Sequence, residues 1–128
     1  MKKKILMTLS IILILCVGGF GIYINDYYHA QNDALEILNH KNVEKVNSNL
    51  ITLTPEKKSD VGIIFYPGAK VENTAYLPLL KHLTSNGYNC YLLKMPFNMA
   101  IFNKNAANKI IEQYPNIKHW YICGHSMG

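Results

Sequence analysis

Three apolar runs separated by two segments of helical period constrain the fold of this chain more than any other feature. Val61-Gly62-Ile63-Ile64-Phe65-Tyr66 is apolar throughout, as a strand buried on both faces requires. Residues 88–95 form a second run closed by Pro96, and Trp120-Tyr121-Ile122-Cys123 a third. Between the first two, Tyr76, Leu77, Leu80 and Leu83 recur at helical spacing, and Gly87 supplies the stop. Pro78 falls near the start of that segment, where a missing N–H costs little. Between the second and third runs, Ala106, Ala107, Ile110 and Ile111 mark another helix, opened by Asn103 or Asn105 and ended by Pro115. Strand, helix, strand, helix, strand at this spacing predicts right-handed crossovers and a parallel sheet with helices on its faces. Upstream, residues 43–46 and 50–53 are short β-prone runs around the turn Asn47-Ser48-Asn49, which predicts an antiparallel hairpin. Ala30, Ala34, Leu35 and Leu38 predict a short helix over residues 27–39. The expected fold class is α/β.

The N-terminus belongs to a different solvent. Met1-Lys2-Lys3-Lys4 precedes residues 5–24, a stretch of 20 residues without a charge. That length crosses a bilayer as a helix. A cleaved signal peptide has a shorter apolar core and a small-residue cleavage site. Here Gly19 and Gly21 are the only weak candidates for one, and Cys16 follows Leu15 where a lipid-attachment cysteine needs a small residue. The pattern favours an uncleaved single-pass anchor in the cell membrane. The lysines then stay in the cytoplasm, and the chain from about Asn25 onward is extracytoplasmic. Three regions are therefore expected: 1–25, the transmembrane anchor; 26–60, a juxtamembrane helix and hairpin; and 61–128, the α/β domain.

Charge excludes one class of partner. The net charge is +5, but three of the lysines flank the anchor. The others are scattered singly, apart from Lys57-Lys58, so no basic stripe supports nucleic-acid binding. All 13 basic residues are lysine, and with abundant Asn and Ile this suggests an AT-rich bacterial genome. Cys16 lies in the apolar N-terminal segment, and Cys90 and Cys123 lie in apolar runs, where cysteine behaves as a small buried hydrophobe. No Cys-x-x-Cys or His-rich spacing suggests a metal, and no cofactor is expected.

The motif that carries chemistry is Gly124-His125-Ser126-Met127-Gly128. Gly-x-Ser-x-Gly after a strand is the pattern of a nucleophile elbow, a tight turn that projects a serine Oγ above a sheet. Ser126 is the candidate nucleophile, and Met127 N–H the expected first oxyanion donor. The second donor should come from the loop after the residue 61–66 strand, Pro67-Gly68-Ala69-Lys70; Ala69 N–H is the first choice and Lys70 N–H the alternative. In parallel sheets such sites gather at the carboxyl ends of strands. Glu72 and Lys70, by their position beside that loop, are candidates to line a substrate pocket, Glu72 otherwise being a solvated loop carboxylate. His125 adjoins the nucleophile, but neighbouring side chains in a tight turn point apart, so it reads as a packing residue. His29, His40, His82 and His119 read as surface or capping residues, and no other acid has an arguable triad role.

From residue 61 to 128 the chain resembles the α/β hydrolases. The segment 65–72, Phe-Tyr-Pro-Gly-Ala-Lys-Val-Glu, then Tyr76 and Gly87-Tyr88, then residues 94–100 and 120–128, is similar to the fold-5 group related to dienelactone hydrolases. The resemblance implies a membrane-anchored serine hydrolase, acting without cofactor on a small-molecule ester-like substrate through an acyl-enzyme. It implies the nucleophile at Ser126 and oxyanion donors near Ala69 and Met127. It also implies a nucleophile strand beside the Val61 strand, with further strands beyond Gly128 carrying the acid and the histidine. On that expectation residues 61–128 are the N-terminal portion of a hydrolase sheet, inactive alone, and the far edge of the nucleophile strand is open and apolar. The alternative is a non-catalytic membrane-tethered remnant or binding protein.

Overall fold

A computed structural model, which describes residues 1–126, places five strands in one mixed sheet of order β1-β2-β4-β3-β5. The hairpin is formed by β1 (Val43–Asn47) and β2 (Leu50–Leu53), and β2 runs antiparallel to β4 (Asn89–Leu93). Around them, β4, β3 (Val61–Tyr66) and β5 (His119–Gly124) are parallel, with β3 in the middle. This is the βαβαβ unit preceded by a hairpin that the alternation of periods predicts.

Each face of the sheet has its own core. On one, α3 (Leu77–Ser85) packs Leu77 and Leu80 over Ile63, Phe65, Cys90 and Leu92. On the other, α4 (Ala106–Gln113) packs Ala106, Ala107 and Ile110 over Ile64, Tyr66 and Tyr91. The split follows from the two-residue period of β3, whose successive side chains enter opposite cores. Gly62 permits the second layer to close. A Cβ there would lie 2.6 Å from Cζ3 of Trp120 and 2.9 Å from Cγ2 of Ile117, so the indole crosses β3 only because the position is bare.

The apolar N-terminal segment is a single helix, α1 (Lys2–Asn25), long and apolar enough to cross a membrane. None of its residues is buried against the rest of the chain. Two expectations are corrected. The helix predicted over residues 27–39 shrinks to α2 (Asn32–Glu36) and a 3-10 turn, Ile37–Asn39. Tyr28 instead lies extended and bridges Val71 in parallel, so pairing with the 67–72 loop outweighs the weak helical period. Cys123, expected buried, is exposed, because the residues that surround its counterparts in β3 and β4 have no equivalent beside β5. The outer strand is indeed bare: Tyr121 is 59% and Ile122 61% exposed.

Candidate active site

The parallel register of β3 and β5 brings two chain segments to one point. Tyr66 pairs with Gly124, so the loop that leaves β3 and the turn that leaves β5 emerge side by side at the carboxyl ends of their strands. The main-chain N–H of His125 donates to the carbonyl of Tyr66 at 3.3 Å, joining the two exits. Ser126 then takes φ = 56°, in the left-handed region. A non-glycine residue there costs about 1–2 kcal/mol, and such strain is the geometry of a serine displayed on a strand-to-helix elbow. Gly68 lets the loop meet the turn. A Cβ at that position would stand 2.8 Å from His125 Nδ1 and 2.9 Å from the Tyr76 hydroxyl.

The amides of this loop can be counted one by one. Gly68 N–H donates to the Tyr76 hydroxyl at 3.0 Å. Lys70 N–H donates to Asn98 O at 2.8 Å, Val71 N–H to Gly68 O at 3.3 Å, and Glu72 N–H to Tyr28 O at 2.8 Å. Among the described residues, Ala69 N–H alone in residues 68–72 has no acceptor. Of the two candidate donors, Lys70 N–H is engaged by Asn98 O and Ala69 N–H is open. Met127, expected to give the other donor, lies outside the described residues.

The side chains of Lys70 and Glu72 turn towards the juxtamembrane segment. Lys70 Nζ is 3.2 Å from Asp26 Oδ2 and 4.3 Å above the ring of Tyr23, at the end of α1. Glu72 accepts from Ala30 N–H at 2.8 Å through one oxygen and from the Thr74 hydroxyl at 2.9 Å through the other. His29 Nδ1 stands 3.6 Å from the same carboxylate. In this arrangement both side chains clasp the chain that rises from the helix.

Three contributors are given no role at the site by the sequence. Tyr76 reads as a helix residue by its spacing. Its ring packs on Phe65 and its hydroxyl lies 3.0 Å from His125 Nδ1. That hydroxyl also accepts from Gly68 N–H, so it ties the histidine ring to the loop. Asn98, with φ = 53° after Phe97 at φ = 53°, turns its carbonyl onto Lys70. Tyr66 ends β3 with its hydroxyl in the opposite core, donating to Lys104 O at 2.8 Å and accepting from Ala107 N–H at 2.9 Å. Only the left-handed pair at 97–98 has a local cue, the Phe-Asn dipeptide after Pro96.

A groove of about 640 Å³ opens beside the turn, between the chain of residues 100–108 and β5, with Tyr66, Ile101, Ile122 and Gly124 in its walls. A concavity of 790 Å³ lies at the other end of the sheet, around His40, Glu56 and Asn86, away from Ser126. The smaller groove is the one placed to hold a ligand against the turn. Among the described residues no cluster of His, Cys, Asp and Glu could hold a metal ion. This end of the sheet places the exposed Ser126 and the loop with the uncommitted Ala69 N–H at adjoining strand exits.

The fold is a mixed α/β sheet with a serine turn at the carboxyl end of its edge strand, β5, beside the loop that leaves β3. The pattern of the alpha/beta hydrolase family matches residues 62–128, and the chain belongs to that family. No curated protein and no solved structure matches the chain.

Proposed function

We propose that this chain carries the nucleophile end of a membrane-anchored serine hydrolase acting on ester-type bonds. Ser126 Oγ attacks the carbonyl carbon as its proton passes to a base. The oxyanion is held by Ala69 N–H and Met127 N–H. Collapse expels the alcohol and leaves an acyl-serine, which water then hydrolyses. In this fold the acid and the histidine follow the serine in chain order, so the base is sought beyond the turn. Lys2–Lys4 on one flank of α1 favour a cytoplasmic N-terminus with the sheet on the opposite side. The observation that carries the reading is the left-handed Ser126 facing a loop whose Ala69 N–H is uncommitted. A fluorophosphonate probe on the native, full-length protein in its membrane tests it. Labelling at Ser126 that vanishes in Ser126→Ala is expected, and equal labelling of both proteins refutes it.

The bare face and edge of β5 favour a second reading, a membrane-tethered protein that binds a partner there without catalysis. Ser126-dependent hydrolysis of a nitrophenyl ester by the isolated chain would exclude it.

A further inference from the structure

We infer that the loop of residues 96–103 is a membrane-inserting rim, and that the groove beside Ser126 opens onto the bilayer to receive the acyl chain of a lipid-like ester. The inference deepens the proposed function and rests on α1 crossing the membrane. The argument begins with depth. The uncharged stretch of residues 5–24 rises about 30 Å as a helix, which equals the hydrocarbon thickness of a bilayer. Phe20 is four residues before the end of that stretch, so it sits about 6 Å inside the hydrocarbon boundary.

Phe20 is not alone at that depth. Its ring contacts Phe97 edge-on at 6.1 Å between centroids, and Phe97 contacts Phe102 in the same manner at 5.5 Å. A helix seated across the bilayer therefore carries Phe97 into the interface with it. Phe97 and Phe102 are each 50% exposed and Ile101 66%, an apolar surface that faces away from both cores. Tyr23, one turn beyond Phe20, is placed where interfacial aromatics gather. The clasp of Lys70 on Asp26 and Tyr23, and the Tyr28–Val71 bridge, fix the sheet to this end of the helix.

The same loop borders the site. Ile101 and Ala100 line the groove with Ile122 and Gly124, and Asn98 holds Lys70 beside the proposed oxyanion donor. An amphiphile with its tail in the groove would bring the ester carbonyl to the turn at the strand ends, with no passage through water. The chemistry recognised is a fatty acyl ester dissolved in the membrane.

The test uses the native chain in phosphatidylcholine vesicles doped with a phosphatidylcholine bearing a diazirine on its acyl chain. After irradiation, tryptic peptides are compared. Residues 95–104 contain the rim, residues 119–128 contain Ile122, and residues 110–118 run from the last turn of α4 to the start of β5. We expect the first two to carry about tenfold more label than the third, alongside a labelled anchor peptide. Label on the anchor peptide with the rim and β5 peptides no higher than residues 110–118 overturns the inference and leaves anchoring intact. Label on the rim but none on residues 119–128 overturns the groove as the acyl site. An unlabelled anchor peptide overturns the anchoring on which the inference depends, and the inference with it.

Discussion

Replacing Tyr66 by phenylalanine removes one oxygen and leaves volume and packing unchanged. The hydroxyl is the acceptor for Ala107 N–H at 2.9 Å and the donor to Lys104 O at 2.8 Å. Ala107 is 4% exposed and sits in the first turn of α4, where no helical carbonyl is available to its N–H. Lys104 is exposed, so water can replace the phenol at its carbonyl. The loss is therefore dominated by one buried, unsatisfied N–H, and Tyr66→Phe should cost about 2 kcal/mol. With a urea slope of about 1–3 kcal/mol per molar for a domain of this size, the unfolding midpoint should fall by about 1 M with its slope unchanged. Trp120, the one tryptophan, reports the transition because it packs on Tyr91 at 5.2 Å against the same core. The measurement is equilibrium unfolding of the full chain in nonionic micelles, followed by Trp120 emission. A midpoint shift below about 0.2 M would mean that Ala107 N–H finds another acceptor, and the reasoning would fail.

Gly62→Ala places a methyl within 2.6 Å of the Trp120 ring, and should destabilise by about 1–3 kcal/mol with a shifted Trp120 emission maximum; an unchanged spectrum and midpoint would contradict the close approach. Glu72→Ala releases Ala30 N–H and Thr74, so chymotrypsin should cut after Tyr27 or Tyr28 faster while Trp120-monitored unfolding barely moves; unaltered cleavage would show that the clasp does not hold the segment. Burial, reinforced by Tyr114 and Cys90, pushes the Tyr91 phenol up to about 12. Its neutral form is favoured by folding, so this stabilisation is complete below pH 10 and is lost as pH rises towards 12. Tyr91→Phe should flatten the decline in stability across that window, and an identical decline in the variant would refute the assignment.

How much of this could be read from the chain depended on whether the determining contact was local. The strands β3, β4 and β5 and the helices between them rest on continuous apolar runs and on 3.6-residue spacing, and they occur where those patterns lie. The Asn47-Ser48-Asn49 turn likewise carries its own instruction. The extended course of residues 27–31 does not, because it depends on Tyr28 finding Val71, 43 positions away. The exposure of Cys123 was equally hidden: an apolar run states that a strand prefers burial, and neighbours decide whether it is granted. At the site, the glycine-serine turn was legible as a motif. Its partners Tyr76 and Asn98 were not, since a tyrosine at helical spacing and an asparagine after a Pro-Phe pair point to no particular acceptor until the register joins them.

Three contacts, two of them of long sequence separation, converge on residues 67–72, and with the Val71 N–H bond to Gly68 O they leave Ala69 alone with a free N–H among the described residues there. Tyr76 takes the amide of Gly68 from the α3 side, Asn98 takes that of Lys70 from the 96–103 loop, and Tyr28 takes that of Glu72 from the juxtamembrane side. Loosening one should leave the other two in place and tilt the loop rather than melt it. The Asn98 contact is the one coupled to the proposed membrane rim, since Asn98 follows Phe97 directly. Drawing Phe97 out of the interface would therefore act first on the Lys70 amide, one residue from the proposed oxyanion donor. In the native protein, Phe97→Asp should accordingly lower Ser126 labelling by a fluorophosphonate in vesicles more than Tyr88→Asp. Tyr88 is a comparably exposed aromatic at the far end of the sheet. Equal labelling of the two variants would uncouple the rim from the loop.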